Sequence, residues 1–145
     1  MDVSIREPEG RFDLTARAVI LRDGHVLMVK DHLGRYFYCV GGRVQLHEGT
    51  AQAALREAQE ETGALFEVER LLFVGEEFFG EDHYIISFYY LLRHTGGEIR
   101  ATTDEGEELV WLPVGRLGEY RTYPVFFAAE LPRLGPEIKH FVTRE

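Results

Sequence analysis

The sequence has few of the residues that would build a disulfide framework, a membrane span or a strongly basic surface. Cys39 is the only cysteine, which excludes an internal disulfide and a cysteine-based zinc site and suits a reducing cytoplasm. No apolar run approaches the ~20 residues of a transmembrane helix, and the first residues lack a signal-peptide core. Lys30 and Lys139 are the only lysines, and the formal net charge is -9. Such an acidic chain is not expected to bind nucleic acid, because phosphate backbones require basic surface.

The rest of the composition is typical of a globular protein. Of 145 residues, 45% are apolar and 28% are charged, which is enough for a buried core. No repeat, low-complexity tract or linker is found, so residues 1–145 are predicted to form a single domain in the cytoplasm, with no membrane partner. An anionic substrate would have to be neutralised locally, by a metal ion or by a few arginines.

The order of apolar segments predicts an α/β fold with a mixed sheet and helices on both faces. Asp23-Gly24 is suited to a type I′ turn between two strands, and an aromatic strand over residues 35–40 leads into Gly41-Gly42. Tyr123–Leu131 is predicted to be a helix, and Ile138–Val142 a last strand or an extended tail. The other predicted strands are Leu14–Arg22, His25–Lys30, Phe66–Phe79, Tyr84–Arg93 and Leu109–Leu112.

A helix is predicted between Thr50 and Gly63. Thr50 is a candidate N-cap, Gly63 is placed for a left-handed C-terminal cap, and the residues between them are good helix formers. At about 100° per residue, one side of this helix carries small and apolar residues and is expected to pack on the sheet. These residues are Ala51, Leu55, Ala58 and Thr62.

Three glutamates on another side of the helix are the most informative feature of the sequence. Glu57 lies three and four residues before Glu60 and Glu61, so the carboxylates lie within roughly 5–6 Å of each other. They repel unless a cation lies between them, and hard divalent cations prefer oxygen ligands. The small side chains of Ala53 and Ala54 are expected to leave room beside them for metal, water and phosphate.

The residues around these glutamates resemble the Nudix box, the signature of the Nudix hydrolases. The box covers Gly42–Ala64, and the positions that match the family register are Gly42, Glu48, Arg56, Glu57, Glu60, Glu61 and Gly63. A hairpin before the box and Glu108 to Trp111 after it also resemble the family. The resemblance implies a Nudix-type α/β/α sandwich.

It further implies hydrolysis of a nucleoside diphosphate linked to another group, with Mg²⁺ or Mn²⁺ as cofactor. By analogy, Glu57 and Glu61 bind the metal, and the Gly41 carbonyl completes the shell. Glu60 is either a ligand or the acid that orients a metal-bound water. Metal ions neutralise phosphate oxygens and lower the pKa of bound water.

The other charged residues of the motif have less direct roles in this interpretation. Arg56 is placed to pair with Glu60 or with Glu48, and so Arg56 and Glu48 are assigned to positioning. The general base differs within the family, and two sources stay open. One is Glu60, and the other is an acid of the later loop, namely Glu105, Glu107 or Glu108.

Substrate contacts are predicted outside the box. Arg17, Lys30 and Arg35 could reach a phosphate, although exposed strand charges are common. His47 and His83 are interpreted as surface or hydrogen-bonded histidines. Several aromatic residues could stack on a base, but aromatic residues at strand spacing mostly form core. These are Tyr36, Phe37, Tyr38, Phe78, Phe79, Tyr84, Phe88, Tyr89 and Tyr90.

The sequence does not identify a subgroup of the family. The residue arrays that mark hydrolases of NADH and coenzyme A are absent, and Glu76–Gly80 stands where ADP-ribose hydrolases carry a proline. A nucleotide sugar or a modified nucleoside triphosphate is therefore open as substrate, and homodimerisation is expected by family analogy. A nucleotide-binding regulatory module without turnover is the alternative. A third possibility, an isomerase of isopentenyl diphosphate, is not favoured because it would need Cys39 as a catalytic thiol, with a glutamate, in a different setting.

Overall fold

Nine strands form a mixed sheet in the computed structural model, which describes residues 1–145. The strands are β1 (Ser4–Glu7), β2 (Gly10–Arg22), β3 (His25–Lys30), β4 (Phe37–Arg43), β5 (Leu65–Phe79), β6 (His83–Gly96), β7 (Leu109–Pro113), β8 (Thr122–Tyr123) and β9 (Lys139–Arg144). The helices are α1 (Thr50–Thr62) and α2 (Phe127–Glu130), with 3₁₀ segments at Val114–Glu119 and Leu131–Arg133. Neither helix is long and apolar enough to cross a membrane.

The strand order is β7-β3-β4-β2-β6-β5-β9, with β1 paired to β2 and β8 paired to β4. β2 and β6 run parallel, as do β5 and β9, whereas the β2–β3 hairpin and the β5–β6 pair are antiparallel. One helical layer packs on each face. The predicted mixed sheet and α/β class are thus confirmed.

The β2–β3 hairpin forms where the sequence predicts it. Leu21 pairs with Val26 and Arg22 with His25, so Asp23 and Gly24 are the two turn residues. Both have positive φ, at 49° and 74°, as a type I′ turn requires.

Helix α1 packs on the sheet through alanines. Ala53, Ala54 and Ala58 are fully buried against Ala16 and Ala18 of β2. The prediction that Ala53 and Ala54 lie beside the acidic face and leave room for a ligand is therefore wrong. Their small side chains let the helix approach the sheet closely, which fixes the distance of the acidic face from β4.

Both ends of α1 have recognisable caps, but the first cap differs from the prediction. Gly49 is the N-cap residue, and its N–H donates to the side-chain Oε1 of Gln52 over 2.8 Å. Thr50 is already helical, and its hydroxyl is hydrogen-bonded to Tyr90 instead. Gly63 closes the helix with φ 75° and donates its N–H to the Gln59 carbonyl, as predicted.

The C-terminal third departs most from the prediction. The helix predicted over Tyr123–Leu131 is shorter: Thr122 and Tyr123 pair with β4, and α2 begins only at Phe127. The residue before a proline favours extended backbone, which keeps Tyr123 out of a helix. Phe126, Phe127 and Leu131 form the core on the sheet face opposite α1. β9 forms as one of the two alternatives predicted for the tail, and β1 was not predicted.

Candidate active site

The glycine pair at the end of β4 brings the acidic helix face against the sheet. Gly41 has φ 144°, and a Cβ there would lie 2.4 Å from the Ala16 carbonyl oxygen, so only glycine fits. A Cβ on Gly42 would lie 2.5 Å from Oε1 of Glu57. The absence of both side chains therefore lets the Glu57 carboxylate lie directly on the backbone.

Arg56 ties the acids of the motif together. Its Nη2 and Nε contact the two carboxylate oxygens of Glu48 at 2.6 and 3.0 Å, a bidentate pair. Nη1 lies 3.1 Å from Glu57 and 3.4 Å from Glu60. Nη2 also donates to the Arg43 carbonyl at 3.2 Å. The hydrogen bonds from Arg56 hold the pKa of Glu48 below its usual range.

Glu61 is the least compensated acid. Its Oε2 accepts the Gly41 N–H over 2.9 Å, and it forms no ion pair within 4 Å. Burial raises the pKa of Glu61 to about 8, with the Glu57 charge adding to the rise and Arg17 opposing it. Burial also raises the pKa of Glu57, against the opposing charge of Arg56. Without a further cation, these two carboxyl groups therefore ionise less readily than exposed glutamates do.

The donor chemistry fits a hard divalent cation. The carboxylates of Glu57, Glu60 and Glu61 and the Gly41 carbonyl offer oxygen acceptors, the ligand type that a hard divalent cation prefers. The side chains do not form a closed shell, and no three acidic, histidine or cysteine side chains converge to enclose an ion. Glu57 is instead turned to Arg56, and Glu61 to the Gly41 N–H.

A cavity of about 430 Å³ opens over these groups. Its acidic lining comes from the chain start, from β2, from α1 and from the loop before β7: Asp2, Asp13, Glu57, Glu60, Glu61, Asp104, Glu105 and Glu107. Its basic lining is Arg11, Arg17, Arg43 and, when protonated, His83. The Tyr38 hydroxyl donates to Glu107 and so holds the acidic loop against β4.

A second cavity, of about 500 Å³, continues from the first through the shared residues Arg17, Tyr38 and Glu107. Tyr36, Phe79 and Tyr123 line it, from three separate parts of the chain. The rings of Tyr36 and Tyr123 meet edge to face at 5.4 Å, and those of Phe79 and Tyr123 lie 5.9 Å apart. The site therefore combines a polar half with an aromatic half.

The structure distributes the other predicted residues unevenly. Arg17 lines both cavities and donates to the Cys39 carbonyl over 3.2 Å. Lys30 lies 3.6 Å from Glu108, and neither lines the two cavities. Arg35 is exposed and pairs with Asp31 at 3.1 Å.

Among the aromatic candidates, Tyr36, Tyr38 and Phe79 line the cavities, whereas Tyr89 is core. Phe78 and Tyr84 stack on each other at 4.5 Å outside both. His47 is exposed.

Sequence reasoning missed one part of the lining, the cluster around Asp13. Asp13 is 2% exposed and accepts a hydrogen bond from Ser4 at 2.6 Å. Arg11, Arg43 and His83 surround the same carboxylate. The available signal was the alternation of polar residues along β2, at positions 11, 13, 15 and 17, which places them on one face of the strand.

Comparison with known proteins identifies the class. A profile of the NUDIX domain matches residues 12–131. The MutT NUDIX hydrolase from Burkholderia pseudomallei is 26% identical over 81% of this chain and 95% of its own, with a TM-score of 0.69. A mutator MutT protein from Bacillus halodurans gives a TM-score of 0.73 at 17% identity, over 91% of this chain and 89% of that one.

An ADP-ribose pyrophosphatase from Streptococcus suis gives a TM-score of 0.64 at 17% identity, over 90% of this chain and 98% of that one. At 17% identity these last two likenesses show the fold alone. No curated protein sequence matches this chain.

Because the profile covers most of its length, the chain belongs to the NUDIX family. It is an enzyme of the Nudix hydrolase type, a hydrolase of phosphoanhydride bonds. Nudix hydrolases act on small-molecule nucleotide substrates and generally use divalent metal ions.

Proposed function

We propose that the protein is a Mg²⁺- or Mn²⁺-dependent pyrophosphohydrolase that cleaves a nucleoside diphosphate linked to another moiety, such as a nucleotide sugar or a modified nucleoside triphosphate. One observation carries the proposal. Glu61 is partly buried, forms no ion pair with a side chain, and lies with Glu57 and Glu60 in a cavity that continues into an aromatic cavity. Such a site suits a charged diphosphate joined to a flat base.

Glu57, Glu60, Glu61 and the Gly41 carbonyl would hold the metal ion. The ion would neutralise phosphate oxygens and supply a water of lowered pKa. Arg56 positions the acids: its bidentate contact with Glu48 leaves Nη1 to restrain Glu57 and Glu60. Gly42 leaves the space into which the Glu57 carboxylate fits.

Two acids lie where they could take the proton from the attacking water. Glu60 is exposed at the cavity and bound only weakly, at 3.4 Å, by Arg56. Glu107 lines both cavities and accepts the Tyr38 hydroxyl proton in a hydrogen bond. Glu105 also lines the polar cavity, whereas Glu108 is turned to Lys30. We favour Glu60 or Glu107 as general base because each has a carboxylate facing the cavity.

The aromatic cavity is proposed to hold the nucleobase. Tyr36, Phe79 and Tyr123 offer ring edges and faces, and Asp31 and His32 supply polar groups at its edge. Arg17 lies where the two cavities meet and is proposed to contact the phosphate nearest the nucleoside. Lys30 and Arg35 stay predicted phosphate contacts that would have to leave Glu108 and Asp31.

The wider setting belongs to the same proposal. The single cysteine and the net charge of -9 support a cytoplasmic protein of one domain, residues 1–145, with no nucleic-acid or membrane partner. A homodimer is proposed by family analogy.

A hydrolysis screen tests the function. Nucleotide sugars, dinucleoside polyphosphates, ADP-ribose and nucleoside triphosphates are incubated with Mg²⁺ or Mn²⁺, and nucleotide products are separated by chromatography. We expect metal-dependent release of a nucleoside monophosphate from at least one class. Tight binding without any product across the panel would instead indicate a nucleotide-binding regulatory module.

Glu61→Gln is the matched variant. Loss of a residue that only supports a metal ligand reduces activity by up to roughly 100-fold. Because Glu61 is a proposed direct ligand, Glu61→Gln should reduce kcat/KM by more than that, while the fold is retained. Glu67→Gln, on the exposed face of β5, is the control and should retain activity. Full activity of Glu61→Gln would contradict the assignment.

A further inference from the structure

One end of the polar cavity carries cations that the Nudix box does not supply. Arg11 on β2 and His83 on β6 meet the Asp13 carboxylate, with Arg11 Nε at 2.7 Å and His83 Nε2 at 2.8 Å from Oδ2. Arg43 Nε lies 3.2 Å from Oδ1. Asp13 is buried, so its role is to fix these side chains rather than to contact a ligand itself.

The outer atoms of the cluster are available. The two terminal nitrogens of Arg11 form no hydrogen bond within the protein, and the Arg11 side chain is 32% exposed. Nδ1 of His83 has no partner either. Arg43 Nη1 lies 3.5 Å from the half-exposed Asp2, a long contact that a ligand can replace. Arg11, Arg43 and His83 all line the cavity, so their side chains lie within reach of a ligand that occupies it.

The charge balance favours an anion at this end. Two guanidinium groups oppose one buried carboxylate, and Asp2 compensates only at the rim. Burial by itself would raise the pKa of Asp13, but hydrogen bonds from Ser4 and His83 and the charge of Arg11 lower it, so Asp13 stays ionised and keeps the arginines in place. Fixed guanidinium groups bind phosphate and carboxylate oxygens in preference to neutral hydroxyls.

We propose that Arg11 and Arg43, positioned by Asp13 together with His83, bind a further anionic group of the substrate, a phosphoryl or carboxylate group on the moiety beyond the cleaved diphosphate. This inference rests on the proposed function and narrows it. The enzyme then selects substrates whose leaving moiety is charged, such as a nucleoside triphosphate or a nucleotide sugar acid, over nucleotide sugars with a neutral sugar.

A matched pair of substrates tests the selection. A nucleoside diphosphate glucose and the corresponding glucuronate differ only in a hydroxymethyl group replaced by a carboxylate. The wild-type kcat/KM should favour the glucuronate by about tenfold, the effect of one charge-assisted hydrogen bond in a partly exposed site. Arg11→Gln should reduce this ratio to about one, and Arg11→Lys should retain part of it. Arg116→Gln, an exposed arginine paired with Glu119, is the control and should leave the ratio unchanged.

Binding separates this inference from the proposed function. The affinities of the two ligands are measured by calorimetry with Ca²⁺ in place of Mg²⁺, so the comparison does not require turnover. Tenfold tighter binding of the glucuronate that Arg11→Gln removes would support the anion site even if no substrate were hydrolysed. Efficient hydrolysis of both ligands with equal affinities, unaffected by Arg11→Gln, would overturn the anion site and leave the hydrolase intact. If Arg11→Gln does not fold, Arg43→Gln provides the same readout.

Discussion

The two walls of the polar cavity are built in different ways. One wall comes from a nearly continuous stretch, Gly41–Glu61, in which a glycine pair and one helix face bring the acids together. The other wall comes from β2 and β6, with Arg43 added from β4; Arg11 and His83 are far apart in sequence and meet only because their strands are parallel neighbours. Both walls contain a buried or partly buried carboxylate held by an arginine.

The difference lies in what each carboxylate lacks. Asp13 is fully surrounded by Ser4, His83 and two arginines, and its pKa is lowered. Glu61 receives one backbone N–H, and burial raises its pKa to about 8. The Asp13 charge is therefore balanced within the protein, and two guanidinium groups face this one buried carboxylate, whereas Glu61 has no side-chain ion pair. We therefore propose the metal ion at the wall formed by Gly41–Glu61 and the anion at the wall formed by β2 and β6.

The largest effect expected within this comparison comes from Gly42→Ala. The new Cβ would lie 2.5 Å from Glu57 Oε1 and would push the carboxylate off the backbone. We expect kcat/KM to fall by about 100-fold while the circular dichroism spectrum stays native. Gly118→Ala is the control, because a Cβ there meets nothing within 4 Å. Wild-type kinetics for Gly42→Ala would show that Glu57 does not need this position.

Arg56→Gln should follow. It removes the bidentate pair with Glu48 and the restraint on Glu57, which should reduce kcat/KM by about 10- to 100-fold and lower the free energy of unfolding by about 1–3 kcal/mol. Steady-state kinetics and urea unfolding measure the two effects. Arg56→Lys should recover little, since an ammonium group cannot form the two parallel contacts. Equal activity of the lysine and wild-type enzymes would mean that charge alone positions the acids.

Tyr123→Ala tests the aromatic half, which, like the wall formed by β2 and β6, is assembled from distant segments. Loss of the ring that contacts Tyr36 and Phe79 should raise KM by about tenfold and change kcat little, because base stacking contributes to binding rather than to the chemical step. Tyr123→Phe retains the ring and should behave like the wild type. A fall in kcat with KM unchanged in Tyr123→Ala would place this residue in the chemistry instead.

The smallest effect concerns pH. The folded-state pKa of Glu61 is raised to about 8, so its contribution to the stability of metal-free protein is present below about pH 4.5 and is lost as pH rises towards 8. The Tm of metal-free protein should therefore fall by a few degrees more between pH 5 and pH 8 than that of Glu61→Gln, whose side chain cannot ionise.

Added Mg²⁺ should raise the Tm of the wild type at pH 8 and have less effect on Glu61→Gln. If the Tm of the two metal-free proteins changes equally between pH 5 and pH 8, the raised pKa of Glu61 is refuted.

The wall formed by Gly41–Glu61 could be predicted from local signals in the sequence. The register of Gly42, Glu57 and Glu61 depends on local geometry, namely a strand end followed by a helix with 3.6 residues per turn, and helix periodicity fixes which acids share a face. The β2–β3 hairpin was predicted for the same reason, because its turn and strand signals lie within a few residues of each other, whereas the mixed sheet was predicted from the order of apolar segments along the chain. The prediction of Thr50 as the N-cap was wrong because Gly49 takes that position, with its N–H donating to the Gln52 side chain.

The other features of the site depend on packing between segments that are distant in the sequence. That Ala53 and Ala54 face the core depends on how α1 is rotated against β2, and the helix predicted at Tyr123 was shortened because that residue pairs with β4. Arg11 and Asp13 are neighbours on one face of β2, but the contact of Asp13 with His83 joins positions 70 residues apart, through a parallel strand pair that no local pattern encodes. The family and its acidic motif could therefore be predicted from one short stretch, whereas the groups proposed to select the substrate depend on how distant strands are brought together.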